Sequence, residues 1–540
     1  MERELRCGYV SLSLSGAEVG RVVVRCARGV QIARVVRPFL LLLCAAAPLA
    51  AQEASPYVPL DHWSMPYVEH LIASGALRDP TPLTRPIRQA DLVRALEAVD
   101  TLVVSDAVYA TVRRLLRAFR PAARGPSYRL AGDVGLTAAT YDVRDPLELG
   151  RGVAARPYGP SRLYGNVGAE AQLQFGPGIA VTHLYEDTRL RTDPDWFDAR
   201  RNGLRAAEAY VSGQWRYAEV FFGVLDRNWG PSPIQGLLLS DNPYNLDHFA
   251  IRVGPPSVEI QAVIAQLDTR TDSAGAPLNR YMMQHRLYVH PPGRWTAALW
   301  EGNVWSGVGR QAEPWFLNVV NVGYLVGSYV GGTTRTVNSF LGLDLERRGA
   351  VTLFGQFMLD DIQVQRRDPT DLKPTSYGLT VGAKGGLHQG VVAWTAFYTR
   401  VANLTYRNED SSQAPLFHLL PTGRNFADYD QATVKLGFLT QPGALLEPEL
   451  TLLRQGEGDP RLPHPLVPDY PTTATIFQGV VERTIRLALG GSWQRAGWGV
   501  MANGGVHFVH NAGHVTGASA THFVGSVGLT FRFHTEHTVP

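Results

Sequence analysis

Apolar and polar residues alternate one for one along much of this chain. Over its last stretch Phe523, Gly525, Val527, Leu529, Phe531 and Phe533 alternate with Val524, Ser526, Gly528, Thr530 and Arg532. Successive side chains of a strand point to opposite faces, so the pattern predicts one mainly apolar and one mainly polar face. Leu163, Gly165, Val167, Ala169, Ala171, Leu173 and Phe175 form such a face against Tyr164, Asn166, Gly168, Glu170, Gln172 and Gln174. Val351, Leu353, Gly355, Phe357 and Leu359 form another, opposite Thr352, Phe354, Gln356, Met358 and Asp360. Strands are also predicted from Tyr128 and near Ile179, Ala206, Tyr217, Phe249, Val258, Met282, Trp295, Val322, Val337, Tyr377, Val391, Ala432, Leu446, Thr475, Val481 and Trp498. A soluble sheet packs its apolar face on a core, whereas a closed membrane barrel turns it to lipid and the polar face to a wet lumen. Strands recurring over about 400 residues without an intervening amphipathic helix favour the barrel, with about 18 strands. Short turns alternate with long polar segments, including Arg189 to Asn202, Asn403 to Asp428 and Gln455 to Thr473, the asymmetry expected of an outer-membrane barrel. No blade-length repeat supports a propeller.

Before the strands, apolar residues fall at helical spacing. Tyr67, Val68, Leu71 and Ile72 predict a first helix stopped at Gly75; Ile87, Leu92, Val93 and Leu96 a second; Val108, Val112, Leu115, Leu116 and Phe119 a third, capped by Ser105. Pro121 to Pro126 reads as a linker. Further upstream, Arg34 and Arg37 precede the apolar run Phe39 to Ala47, and Pro48 to Ala51 give a small-residue end. This resembles a secretory signal peptide with cleavage after Ala51 and an over-extended start. The run is shorter than the roughly 20 residues that span a bilayer as a helix, so insertion is expected through strands. Three parts follow: residues 1–51 as the signal region, 52–125 as a periplasmic helical segment and 126–540 as an outer-membrane barrel.

Composition narrows the function. Charged residues are only 18%, against 45% hydrophobic, and the net charge is +3. With no dense Lys/Arg run in the mature region, nucleic acid is not an expected partner. Cys7, Cys26 and Cys44 all precede residue 52, leaving no mature thiol chemistry or disulfide framework, as is common for exported proteins.

Two resemblances add to this reading. Asp61-His62-Trp63 through Ala73-Ser74-Gly75 to Thr84-Arg85 and the following helix resembles one surface-layer-homology repeat, which implies contact with cell-wall polymer; the alternative is a small bundle packed under or into the barrel mouth. Phe222-Gly223-Val224-Leu225-Asp226-Arg227-Asn228-Trp229-Gly230-Pro231, followed by Gly236 to Pro243, resembles the signature region of the capsule-assembly Wzi family. Gln284-His285-Arg286-Leu287 with Ala298 to Gly302, Gly355 to Asp361, and Phe397 to Val401 before Tyr406 agree with it in order. The resemblance implies a lectin-like, non-catalytic barrel that holds or organises capsular or extracellular polysaccharide in the outer membrane of a diderm bacterium, in contact with its lipid.

Sugars are bound by aromatic faces, by planar polar groups and, where acidic, by Arg. Arg227, Asn228, Trp229, Asp241 and Asn242 supply those types, and Glu301, Asp360 and Asp361 are further candidates. Trp229-Gly230-Pro231 is equally suited to shaping a turn, and Asp360 and Asp361 to a strand end or an Arg-paired lumen. No metal or cofactor is expected: His507 and His510 fall on opposite faces of a strand, so these two and His514 converge only if the chain bends. With no H-E-x-x-H or G-x-S-x-G, an enzyme is not expected. The alternative to polysaccharide attachment is a porin or substrate-specific channel.

Overall fold

The computed structural model describes residues 53–121, 125–140, 162–188, 204–321, 337–361, 372–441 and 443–539. Among them, eighteen antiparallel strands close into a transmembrane barrel. The first six are β1 (Ser127–Ala139), β2 (Arg162–Phe175), β3 (Gly178–Asp187), β4 (Leu204–Gln214), β5 (Ala218–Val224) and β6 (Asp247–Val253). Next come β7 (Val258–Gln266), β8 (Pro277–Val289), β9 (Trp295–Val308), β10 (Asn338–Arg347), β11 (Val351–Asp361) and β12 (Ser376–Leu387). The last are β13 (Val392–Val401), β14 (Tyr429–Gln441), β15 (Ala444–Gln455), β16 (Glu482–Arg495), β17 (Trp498–His510) and β18 (Ser519–Thr538). Closure comes from β18 pairing with β1, with Leu529 opposite Leu136 and Arg532 opposite Asp133. Closing the sheet leaves no edge of unpaired N–H and C=O groups, which hydrocarbon does not tolerate.

The alternation read from the sequence sorts by side of the wall. Phe523, Val527, Leu529 and Phe533 are exposed on the exterior, as are Leu163, Val167, Leu173 and Phe175 and, on β11, Val351, Leu353 and Phe357. Such an apolar belt around the barrel is far larger than water-exposed patches of soluble proteins and is the surface a bilayer covers. The strand expected near Thr475 does not form. Residues 473–481 run as a loop, because the Asp428 carboxylate takes the backbone N–H groups of Phe477 and Gln478 (2.5 and 2.9 Å) and draws the chain off the wall. Val322 and residues 189–202 lie outside the described residues, as do the signal region and residues 122–124 of the linker.

One barrel end carries short turns, such as Gly176–Pro177 and Ala496–Gly497; the other carries long connections, including residues 225–246, 402–428 and 456–481. The helical section sits against the turn end. It contains α1 (Met65–Ala73), α2 (Gln89–Glu97) and α3 (Asp106–Phe119), the last capped by Ser105 Oγ, which accepts from Val108 N. The second helix starts later than its periodicity implies, because Ile87 and Arg88 pair in an extended bridge with Tyr57 and Val58. Tyr67 donates to the Gly443 carbonyl (2.9 Å) and His70 Nε2 meets the Gly390 carbonyl (2.9 Å). Leu439 and Leu445 of the wall join the helices' own apolar core.

Candidate functional site

Two features occupy the lumen: a plug and a cavity beside it. The plug is assembled from both ends of the barrel. From the helical section, Thr84 and Arg85 pair antiparallel with Trp229 and Asn228 of the β5–β6 loop, and Gly230 N donates to the Leu83 carbonyl (3.1 Å). The same loop buries Leu237, Leu238 and Leu239 against Met282, Trp300, Phe340 and Met358 of the wall and Tyr406 and Phe426 of the β13–β14 loop. Glycine in the wall makes this approach feasible: a Cβ on Gly302 would lie 2.1 Å from Leu238 Cδ2. The loops are then tied together. Ser240 Oγ donates to the Gly423 carbonyl (2.6 Å), Asn242 Nδ2 to the Pro421 carbonyl (2.8 Å), and Tyr406 Oη to the Leu237 carbonyl. Asp428 also accepts from Gly458 N (3.0 Å), joining the β15–β16 loop to the set.

Arg286 on β8 binds both halves of the plug. Fully buried, it donates to Gln261 Oε1 (2.8 Å), the Leu83 carbonyl (3.1 Å) and Thr84 Oγ1, while its guanidinium lies 4.2 Å from the Trp229 ring centre. Asp344 stands 3.8 Å away and accepts from Trp300 Nε1 (2.8 Å). On the helical side, Arg85 reaches Glu69 (2.7 Å) and Asp79 (2.9 Å). Burial raises the Asp79 carboxyl, but the Arg85 guanidinium outweighs it and holds the group below the usual carboxylate range.

Most of the residues picked from the sequence are parts of this plug. Arg227 donates to His248 Nε2 (2.7 Å) and lies over Phe221; Asn228 bridges Gly236 N and the Ile234 carbonyl; Trp229 is 3% exposed under Arg286. Asn242 is fully buried, and Asp241 accepts from Gln235 (2.9 Å). Asp360 accepts from Tyr406 N (3.0 Å) and so fastens the β13–β14 loop. Glu301 does not join them: it points to the opposite side of the wall from Trp300, 3.4 Å from His285 Nε2. The Asp361 side chain lies outside the described residues. His507 is buried, His510 is exposed at the strand end, and His514 sits in the turn 2.7 Å from the Val480 carbonyl.

Beside the plug, along β1–β4 and β16–β18, runs a cavity of about 1890 Å³ that reaches the helical section. Tyr185, Arg205 and Asn166 line it from the wall, Tyr244 from the plug loop, and His62 and Trp63 from the helical section. Arg205 lies 5.8 Å from the Tyr185 ring centre, Tyr185 donates to Asp187 (3.2 Å), and Asn166 donates to Asp133 (3.1 Å). Aromatic faces, a guanidinium and carboxamides facing a wet space are the side-chain types that hold sugars. The sequence placed Tyr164, Asn166 and Glu170 on a polar face, but nothing in it indicated which lumenal positions the plug would leave free.

No protein-family model and no curated protein matches this chain. Among solved structures it is similar to Wzi, an outer-membrane protein involved in group 1 capsule assembly in Escherichia coli and described as a carbohydrate-binding β-barrel: TM-score 0.57, 13% identity, covering 86% of this chain and 97% of that one. It also matches the Pseudomonas aeruginosa outer-membrane proteins OpdK (TM-score 0.41, 12% identity, 76% of this chain and 99% of that one) and OpdQ (0.43, 7%, 77% and 100%). What this chain shares with Wzi at that identity is the fold of an outer-membrane barrel.

Proposed function

We propose that this protein is exported to the outer membrane, where it attaches or helps assemble surface polysaccharide without catalysing a reaction. The observation that carries the reading is the plug. Its hydrogen bonds run unbroken from the helical section through Thr84–Trp229 to the joined β5–β6, β13–β14 and β15–β16 loops. Such a lumen is built to hold a rigid loop surface rather than to pass solute. The likeness to the Wzi barrel, a carbohydrate binder by its own description, supports the same reading. In it Arg227, Asn228, Trp229, Asp241 and Asn242 support the surface from below, and Tyr185, Arg205 and Tyr244 contact the polymer. A diffusion channel is the second reading, favoured by the cavity beside the plug.

The test is binding of the organism's own surface polymer to the purified barrel. Tyr185→Ala and Arg205→Ala should each weaken it by more than about 1 kcal/mol, the threshold for an interface residue that matters. A wild-type protein that binds no surface polymer would reject the proposal.

A further inference from the structure

On the exterior, at the loop end of β13–β17, register brings a row of cations together. Arg400 stands opposite Asp430, Asp430 opposite Arg454, Arg454 opposite Arg483, and Arg483 opposite His510. Two residues nearer the turn end, on the same side of the wall, are Leu452, Ile485 and Phe508, all exposed in the apolar belt. The row therefore lies just past the belt's edge, where lipid headgroups begin. Asp430 accepts from Arg454 Nε (2.9 Å), Arg400 (3.0 Å) and Tyr398 Oη (2.8 Å), which fixes two guanidinium groups side by side. Arg483, one strand beyond Arg454, is exposed, so the row carries three guanidinium groups and one carboxylate.

Beneath the Arg400–Asp430–Arg454 part of this row, on β12–β15, the wall is hollowed. Ala383, Ala396 and Ala432 present only methyl groups where Val381, Val434, Leu450 and Leu452 around them carry branched chains. The result is an apolar groove of about 440 Å³ with Tyr398 at its head. A snorkelling cation alone is common at a membrane edge. An acyl-sized groove running under fixed guanidinium forks is a more specific arrangement, because those forks match phosphate oxygens in geometry and charge.

We propose that this face binds a phosphorylated lipid of the outer leaflet, the phosphate held by Arg400, Arg454 and Arg483 and one acyl chain lying in the groove. The inference rests on the membrane placement of the barrel and not on polysaccharide binding. Native mass spectrometry of the full detergent-solubilised protein tests it with three probes: diphosphorylated lipid A, phosphatidylcholine and inorganic phosphate. Lipid A should be retained at least about tenfold more strongly than phosphatidylcholine, a ratio the extra phosphate contacts can supply. Inorganic phosphate at matched concentration should not displace it. R454Q/R483Q should lower lipid A retention to the phosphatidylcholine level, R454K/R483K, which keeps the charge but not the fork, should restore only part of it, and A396F should lower it by filling the groove. Heat-modifiable electrophoretic mobility reports folding of each variant. If the double variant does not fold, R483Q alone, at an exposed position, carries the comparison. Equal retention of the two lipids, retention unaffected by loss of the arginines, or displacement by free phosphate would each overturn the proposal.

Discussion

Replacing Arg286 by Ala should release the plug. The substitution removes hydrogen bonds to the Leu83 carbonyl and Thr84 Oγ1, the cation stacked on Trp229, and the positive charge nearest to Asp344. Removing one partner of a buried charge pair costs about 3–5 kcal/mol, largely because the other is left uncompensated. If that falls on plug docking, the undocked population rises roughly a hundredfold to a few thousandfold. Amide hydrogen exchange reads it directly: Gly230, whose N–H bonds across the seam to the Leu83 carbonyl, should exchange faster by that factor. The wall strands should keep their protection. Removing Asp344 as well, as Arg286→Met with Asp344→Leu, should recover part of the loss because no lone charge remains. Exchange at Gly230 unchanged in Arg286→Ala would refute the reasoning, and so would a double variant as exposed as the single one.

Three further outcomes follow from the same contacts. Asp428→Ala removes the acceptor for three backbone N–H groups, so the β15–β16 loop should loosen by about 2–3 kcal/mol and become sensitive to limited proteolysis between residues 456 and 481. Gly386→Val would push a side chain onto the Ser74 carbonyl, only 2.2 Å from the position of a Cβ; overpacking of about 1–3 kcal/mol should lift α1 from the wall and lower the unfolding temperature. Docking of the helical section should also depend on pH. Burial lowers the His70 imidazole below its ordinary 6.5, so the undocked section binds more protons and docking weakens as pH falls below about 6.5. The depressed Asp79 carboxyl adds stability above about pH 4 that is lost as pH drops through its folded value. Exchange of α1 measured at pH 7 and 5 should show the first step, and His70→Gln should abolish it.

The barrel was legible because each wall strand separates two solvents, and period-two alternation records that separation residue by residue. Phe523 to Phe533 and Leu163 to Phe175 needed no knowledge of partners. The plug was not legible in that way. Leu237, Leu238 and Leu239 form an unalternating apolar run in a loop, and only the wall's inward Met282, Phe340 and Met358 explain it. The signature around Trp229 suits a sugar site and a turn alike in the sequence, because Trp, Arg, Asn and Asp serve sugars and buried hydrogen-bond networks equally. What separates the two uses is burial, which depends on Arg286 and Thr84, far away in sequence. Thr475 misled for a related reason. Thr475 to Val481 has strand-like composition, but Asp428 supplies a competing set of hydrogen bonds.

The central proposal, that the plugged lumen holds a loop surface rather than passing solute, is tested most directly by planar-bilayer conductance of the purified protein. The account predicts little steady current at neutral pH. A large, stable ion current from the wild-type barrel would contradict it and favour a channel.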